Sequence, residues 1–170
     1  MKNIKRVHGY KQKRLQIAPH SRHNGNCQTP LLPYEHYRAL YTSSFFALMP
    51  ALYGFYREYW FLALMPSGVF ITSINYWSYP TYCWRRNVDI FWVCSTAIYQ
   101  ALLASKIENS QHHFLVFYSC LFLYSISSIC LGSKKMVAST ATHVMTHMLG
   151  SIGTVIFYME DIPSQFLWKY

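Results

Sequence analysis

The stretch MVASTATHVMTHMLGSIGTVIFYM, residues 136–159, contains no Asp, Glu, Lys or Arg. A helix needs about 20 mainly apolar residues to cross a hydrocarbon core about 30 Å thick, and this run is long enough. Two other stretches share the property, Tyr59 to Trp84 and Phe114 to Ser133. Across the whole chain 52% of residues are hydrophobic, 18% aromatic and 12% charged. A soluble domain carries about 25% charged residues. Composition and charge spacing together predict an all-α, polytopic membrane helix bundle.

Five spans are expected, at about 39–56, 60–78, 88–105, 114–132 and 136–159. The first two are divided only by Arg57, Glu58 and Tyr59, and each carries the tetrapeptide Ala-Leu-Met-Pro, at 47–50 and 63–66. A mid-span proline removes a backbone donor and kinks a helix, which is tolerated where neighbours satisfy the freed carbonyl. The echo therefore reads as two kinked helices rather than a repeat. Residues 1–38 are polar and basic, without the apolar core of a signal sequence; they read as a flexible cytoplasmic tail, and residues 160–170 as a short exoplasmic or lumenal one. Within the first tail His20, His23 and Cys27 are potential metal ligands, but their spacing matches no standard zinc finger. Cys94, Cys120 and Cys130 fall inside spans as small apolar residues. With Cys27 and Cys83 on the cytoplasmic side, the five cysteines form no disulfide framework.

Positive charge near span ends sets orientation. Twelve Lys and Arg fall on the side of the N-terminus: eight in the tail, then Arg85, Arg86, Lys134 and Lys135. Three fall on the other side: Arg57, Lys106 and Lys169. The N-terminus is thus expected in the cytoplasm, with most of the +9 net charge facing an anionic leaflet rather than nucleic acid.

An odd number of spans brings three separated segments to the cytoplasmic leaflet: the end of the second span (Ser73 to Trp77), the start of the third (Arg85 to Asp89) and the start of the fifth. Only 16 uncharged residues follow Asp89 before Lys106, about 24 Å of helix, so a full crossing draws the carboxylate toward the hydrocarbon edge. A carboxylate is costly there unless partnered; a simple account pairs it with Arg85 or Arg86 near a helix N-terminus. Ser139, Thr140, His143, Thr146 and His147 recur with helical spacing and form one polar stripe. Such a stripe belongs against other helices or a cavity. His143 and His147, one turn apart, have the spacing of two imidazoles on one metal, or of two interhelical hydrogen bonds.

Taken in order, Ser73-x-x-Tyr76, then Arg86-x-x-Asp89, then His143-x-x-x-His147 resembles the CREST superfamily. That group comprises alkaline ceramidases, the progestin and adiponectin receptors with the hemolysin III family, and a set of lipid-remodelling proteins. The similarity covers residues 60–92 and 139–150. It implies a membrane-embedded zinc hydrolase acting on a lipid amide such as a ceramide: His143 and His147 bind zinc, Asp89 orients or deprotonates the zinc water, and Ser73 assists at the metal or the oxyanion. Zinc chemistry suits such a set, since the ion lowers the pKa of its water to about 7. Two departures stand against it. Seven helices are reduced to five, and the third histidine, four residues after the serine, is replaced by Trp77. Asp89 or Cys83 would have to substitute as a ligand, while His112 and His113 lie on the opposite face.

Two readings stay open: a metal-dependent lipid hydrolase, and a non-catalytic receptor-like or structural membrane protein that keeps the polar cluster for helix packing. A channel or transporter is disfavoured, because no span carries ionisable groups through its full depth.

Overall fold

The computed structural model describes residues 30–107, 110–160 and 162–163. The His20, His23 and Cys27 group and most of the C-terminal tail lie outside the described residues. Within them the regular structure is all helical. Helix α1 (Tyr34–Ser43) runs through a 3-10 segment (Ser44–Ala47) into α2 (Leu48–Tyr56). Then follow α3 (Trp60–Trp77), α4 (Trp84–Ala104), α5 (Gln111–Gly132) and α6 (Met136–Met159). With α1, the 3-10 segment and α2 continuous, the described residues form five helical rods. Among the described residues one helix, α5, is both long and apolar enough to cross a membrane.

The charge gaps located the rods, but two boundaries move. Helix α1 opens at Tyr34 rather than near residue 39, and α4 opens at Trp84 rather than 88. The second shift matters. Asp89 lies in the second turn of α4 instead of at its end, so its side chain faces a neighbouring helix.

Two tight turns use one device. Glu58 and Lys134 both adopt positive φ (59° each). After Glu58, the Tyr59 amide reaches back to the Gly54 carbonyl at 2.8 Å; after Lys134, the Lys135 amide reaches the Cys130 carbonyl at 2.8 Å. Each is a six-to-one closure that satisfies a free carbonyl at a helix end. Arg57 fastens the first turn to α6, donating to the Tyr158 carbonyl at 3.1 Å and to the Tyr59 hydroxyl at 2.9 Å. A cation on the last carbonyls of a helix also meets its negative dipole end.

The prolines behave differently from each other. Ahead of Pro50 the helix tightens to 3-10 geometry, whereas α3 continues as α-helix through Pro66. Pro66 has no N–H to give the carbonyl of Leu62, four residues earlier. The Tyr158 hydroxyl donates to that carbonyl instead, at 2.7 Å, and both residues are fully buried.

Close approach is set by small residues. A Cβ at Gly153 would stand 2.3 Å from Val116 Cγ1, so the glycine lets α5 and α6 meet. Gly68 likewise admits the indole of Trp92, which donates to the Met65 carbonyl at 3.0 Å. At one end of the bundle Tyr59, Leu62, Leu103, Phe157 and Tyr158 form a core; at the other Leu32, Leu40, Tyr76 and Trp77 form a second.

Candidate functional site

Three contacts draw the chain's separated segments to the end that holds the second core. The Leu31 amide donates to the Pro80 carbonyl at 2.8 Å. His36 Nδ1 and Thr140 Oγ1 share a hydrogen bond of 2.8 Å. The Trp77 indole meets the His143 imidazole edge-on, with centroids 5.3 Å apart. The start of α1, the α3–α4 loop and the start of α6 therefore share one end of the molecule, as the parity of the spans predicts.

Asp89, 8% exposed, accepts hydrogen bonds through Oδ1 from Ser73 Oγ at 2.7 Å and Thr72 Oγ1 at 3.0 Å. Both hydroxyls belong to α3. The expected pairing with Arg85 or Arg86 does not form: Arg85 donates to the Asn75 carbonyl at 3.2 Å, and the Arg86 guanidinium lies over the Tyr82 ring at 5.5 Å. With Asp89 one turn into the helix, the carboxylate turns toward α3 while the arginines reach outward.

His143 and His147 project from α6 with ring centroids 5.0 Å apart and planes at 85°. Each Nδ1 is held by a serine of another helix. His147 Nδ1 meets Ser43 Oγ of α1 at 2.8 Å, and His143 Nδ1 lies 3.4 Å from Ser127 Oγ of α5. Ser127 also donates to the Ser139 carbonyl at 2.9 Å, and its hydroxyl lies 3.2 Å from that of Ser139. Tyr124 closes on His143 from α5, centroids 5.6 Å apart. The polar stripe on α6 faces the bundle, with Ser139 and Thr140 buried.

The four residues singled out in the sequence thus form two pairs. Ser73 and Asp89 join α3 to α4; His143 and His147 join α6 to α1 and α5. No hydrogen bond links the pairs. Trp77, at the end of α3, packs against His143 and Tyr76. Thr72, Ser43, Ser127 and His36 complete the network and were not distinguished in the sequence.

Two imidazoles 5.0 Å apart suit one shared ion: with metal–nitrogen distances near 2.1 Å and a tetrahedral angle, centroids fall about 5 Å apart. Among the described residues a third protein donor is missing. Among the described residues no three of His, Cys, Asp and Glu group closely enough to hold a metal. Trp77 offers an indole N–H, which donates and cannot ligate. Cys83 accepts from Thr81 Oγ1 at 3.1 Å within its own loop. Two imidazoles alone, the donor set of the described residues, do not fit a catalytic zinc ion.

At the opposite end His113 is buried against Phe157, centroids 4.6 Å apart, and neither ring nitrogen has a hydrogen-bond partner among the described residues. Nearby, Thr154 Oγ1 donates to Gln100 Oε1 at 3.3 Å, and Gln100 Nε2 lies 3.4 Å from the Tyr158 hydroxyl. Comparison with protein-family models, curated proteins and solved structures finds no match to any of them.

Proposed function

We propose that this chain is a multi-pass integral membrane protein with its N-terminus in the cytoplasm. In this reading its Ser-Asp and His-His pairs lock helices together and do not hydrolyse a lipid amide. The membrane part rests on an inverted polarity. Buried positions include Ser43, Ser73, Asp89, Thr96, Gln100, Ser127 and Ser139, while Ile71, Phe91, Ile98, Leu115, Phe122 and Ile129 lie outward. Leu115, Phe122 and Ile129 recur every seven residues on α5 at 67%, 66% and 68% exposure, an apolar stripe that water would penalise. Exposed aromatics collar both ends, Tyr79, Tyr82 and Trp84 at one and Tyr56 and Trp60 at the other, where interfacial rings are favoured.

The non-catalytic part rests on one observation: every member of the proposed site already has a structural partner on another helix, and Trp77 stands against the histidine that a third ligand would accompany. Polar side chains bonded across helices add about 0.6 kcal/mol on average within membranes, so the six residue pairs joined in this way at the site give the bundle a framework.

The test is hydrolysis of a fluorescent ceramide by the full chain in proteoliposomes, with and without added zinc. No turnover is expected in either condition, and His143→Ala should lower thermal stability. Zinc-dependent turnover abolished by His143→Ala would overturn the reading in favour of the hydrolase.

A further inference from the structure

The basic end of the bundle carries more positive charge than the structure uses. Arg38, Arg85, Arg86, Lys134 and Lys135 gather there on α1, the start of α4 and the α5–α6 turn. The arginines rest on neutral groups: Arg38 over the Tyr34 ring at 6.0 Å, Arg86 over Tyr82 at 5.5 Å, and Arg85 on the Asn75 carbonyl. Among the described residues none of the five is ion-paired. The acids of this end are Glu35 and Asp89, and Asp89 is turned inward onto Ser73 and Thr72. The fold has therefore separated Asp89, the one buried carboxylate among the described residues, from the two arginines that precede it in the same helix.

A second feature coincides. Tyr79 and Tyr82 of the α3–α4 loop and Trp84 at the start of α4, exposed by 42%, 73% and 67%, immediately precede Arg85 and Arg86 in the chain, and Arg86 lies over the Tyr82 ring. Aromatic rings settle at headgroup depth, and arginine presents its flat fork of donors to phosphate or carboxylate oxygens in pairs. The loop thus offers rings to seat in the headgroup layer with guanidinium groups beside them. The sequence extends the same charge, because seven further Lys and Arg precede residue 30.

We propose that this end binds anionic lipid headgroups of the cytoplasmic leaflet, with Arg85 and Arg86 as the principal contacts and Lys134 and Lys135 adding to them. The occupant is a lipid rather than a soluble anion, because the cations sit within a ring collar that water alone does not favour. The proposal rests on the multi-pass reading above. A phosphate or carboxylate borne by a headgroup supplies the missing counter-charge without any acid from the protein.

The test uses the full chain in neutral-detergent micelles, titrated with dansyl-labelled short-chain phosphatidylserine and, separately, phosphatidylcholine. Energy transfer from tryptophan reports binding. Phosphatidylserine should bind in preference, with an affinity that falls as salt rises. The double variant R85Q/R86Q should bind it about thirtyfold more weakly, taking about 1 kcal/mol per cation. R85K/R86K keeps the charge without the paired donors and should bind between the parent and R85Q/R86Q, and Lys106→Gln at the opposite end should leave binding unchanged. Should R85Q/R86Q fail to fold, K134Q/K135Q on the exposed turn carries the same expectation with a smaller loss. Equal binding of the two lipids, no effect of removing the cations, or displacement by inorganic phosphate at matching concentration would each overturn the proposal. Carbonate extraction of the parent chain separates the two readings. A chain that stays with membranes yet ignores headgroup charge refutes only this inference, whereas a chain that extracts refutes the multi-pass reading itself.

Discussion

Tyr158→Phe removes one oxygen from the bundle, and its cost follows from a proline 92 residues earlier in the chain. Pro66 leaves the Leu62 carbonyl without its helical donor, and the Tyr158 hydroxyl fills the vacancy at 2.7 Å with both residues at 0% exposure. No water reaches a carbonyl at that depth, so deleting the hydroxyl strands it. An unsatisfied buried acceptor costs about 1–3 kcal/mol in soluble proteins, and interhelical bonds in membranes reach about 1.7 kcal/mol. The expected loss is therefore about 1–2 kcal/mol. A small part of this comes from the weaker contact with Gln100 Nε2 at 3.4 Å.

The decisive version is a double-mutant cycle. Pro66→Ala returns an N–H to position 66, which bonds the Leu62 carbonyl within α3. In that background Tyr158→Phe should cost less than about 0.5 kcal/mol, giving a coupling of about 1 kcal/mol between residues on different helices. Denaturant unfolding of the four proteins in detergent supplies the numbers. An equal cost of Tyr158→Phe with and without the proline would refute the reasoning, for it would mean the hydroxyl serves something other than the orphaned carbonyl.

Three further outcomes are expected. Gly153→Ala should destabilise the bundle by about 1–3 kcal/mol, because its Cβ would stand 2.3 Å from Val116 Cγ1; adding Val116→Ala should recover much of the loss, measured by thermal unfolding. Asp89→Asn keeps an oxygen that can accept from Ser73 and Thr72 and should cost less than about 1 kcal/mol, whereas Asp89→Ala takes the acceptor from Ser73 and leaves Thr72 only the Val69 carbonyl at 3.2 Å, and should cost about 1–3 kcal/mol; equal losses in unfolding assays would show that the charge matters and not the hydrogen bonds. Trp77→His places an imidazole beside His143 and His147 and should raise zinc affinity at least tenfold, about 1.4 kcal/mol, while the lost indole costs about 1–3 kcal/mol of stability; calorimetric titration with zinc reads the first and thermal unfolding the second.

Charge spacing made the rods legible. Gaps between charged residues placed the last helix at 136–159 and the ends of the others within a few residues, since a charge inside a long apolar run is costly enough to punctuate it. Helix starts were harder to read. Polar first turns such as Trp84 to Val88 continue a helix without being apolar, which hid the outward turn of Arg85 and Arg86. The partners of the polar groups were largely hidden as well. Ser125, Ser127 and Ser128 stand almost side by side, yet Ser125 and Ser128 bond the carbonyls of Leu121 and Tyr124 in their own helix while Ser127 reaches across to α6. Any hydroxyl in a helix can bond the carbonyl four residues back. Which one crosses depends on helix rotation, a tertiary property. Pro66 is the intermediate case: its position names Leu62 as the carbonyl in need, but nothing local identifies Tyr158 as the donor.

The proposal that this inside-out bundle crosses a bilayer several times is tested most directly by cysteine accessibility in sealed vesicles. Starting from the full chain with its five native cysteines replaced by Ser or Ala, a single cysteine is introduced by Lys134→Cys in the α5–α6 turn or by Lys106→Cys beyond the end of α4. Each is treated with a membrane-impermeant maleimide before and after permeabilisation. The account predicts that the two sites react from opposite sides, with position 134 on the face that holds the N-terminus. Reaction of both from the same side, before permeabilisation, would contradict it.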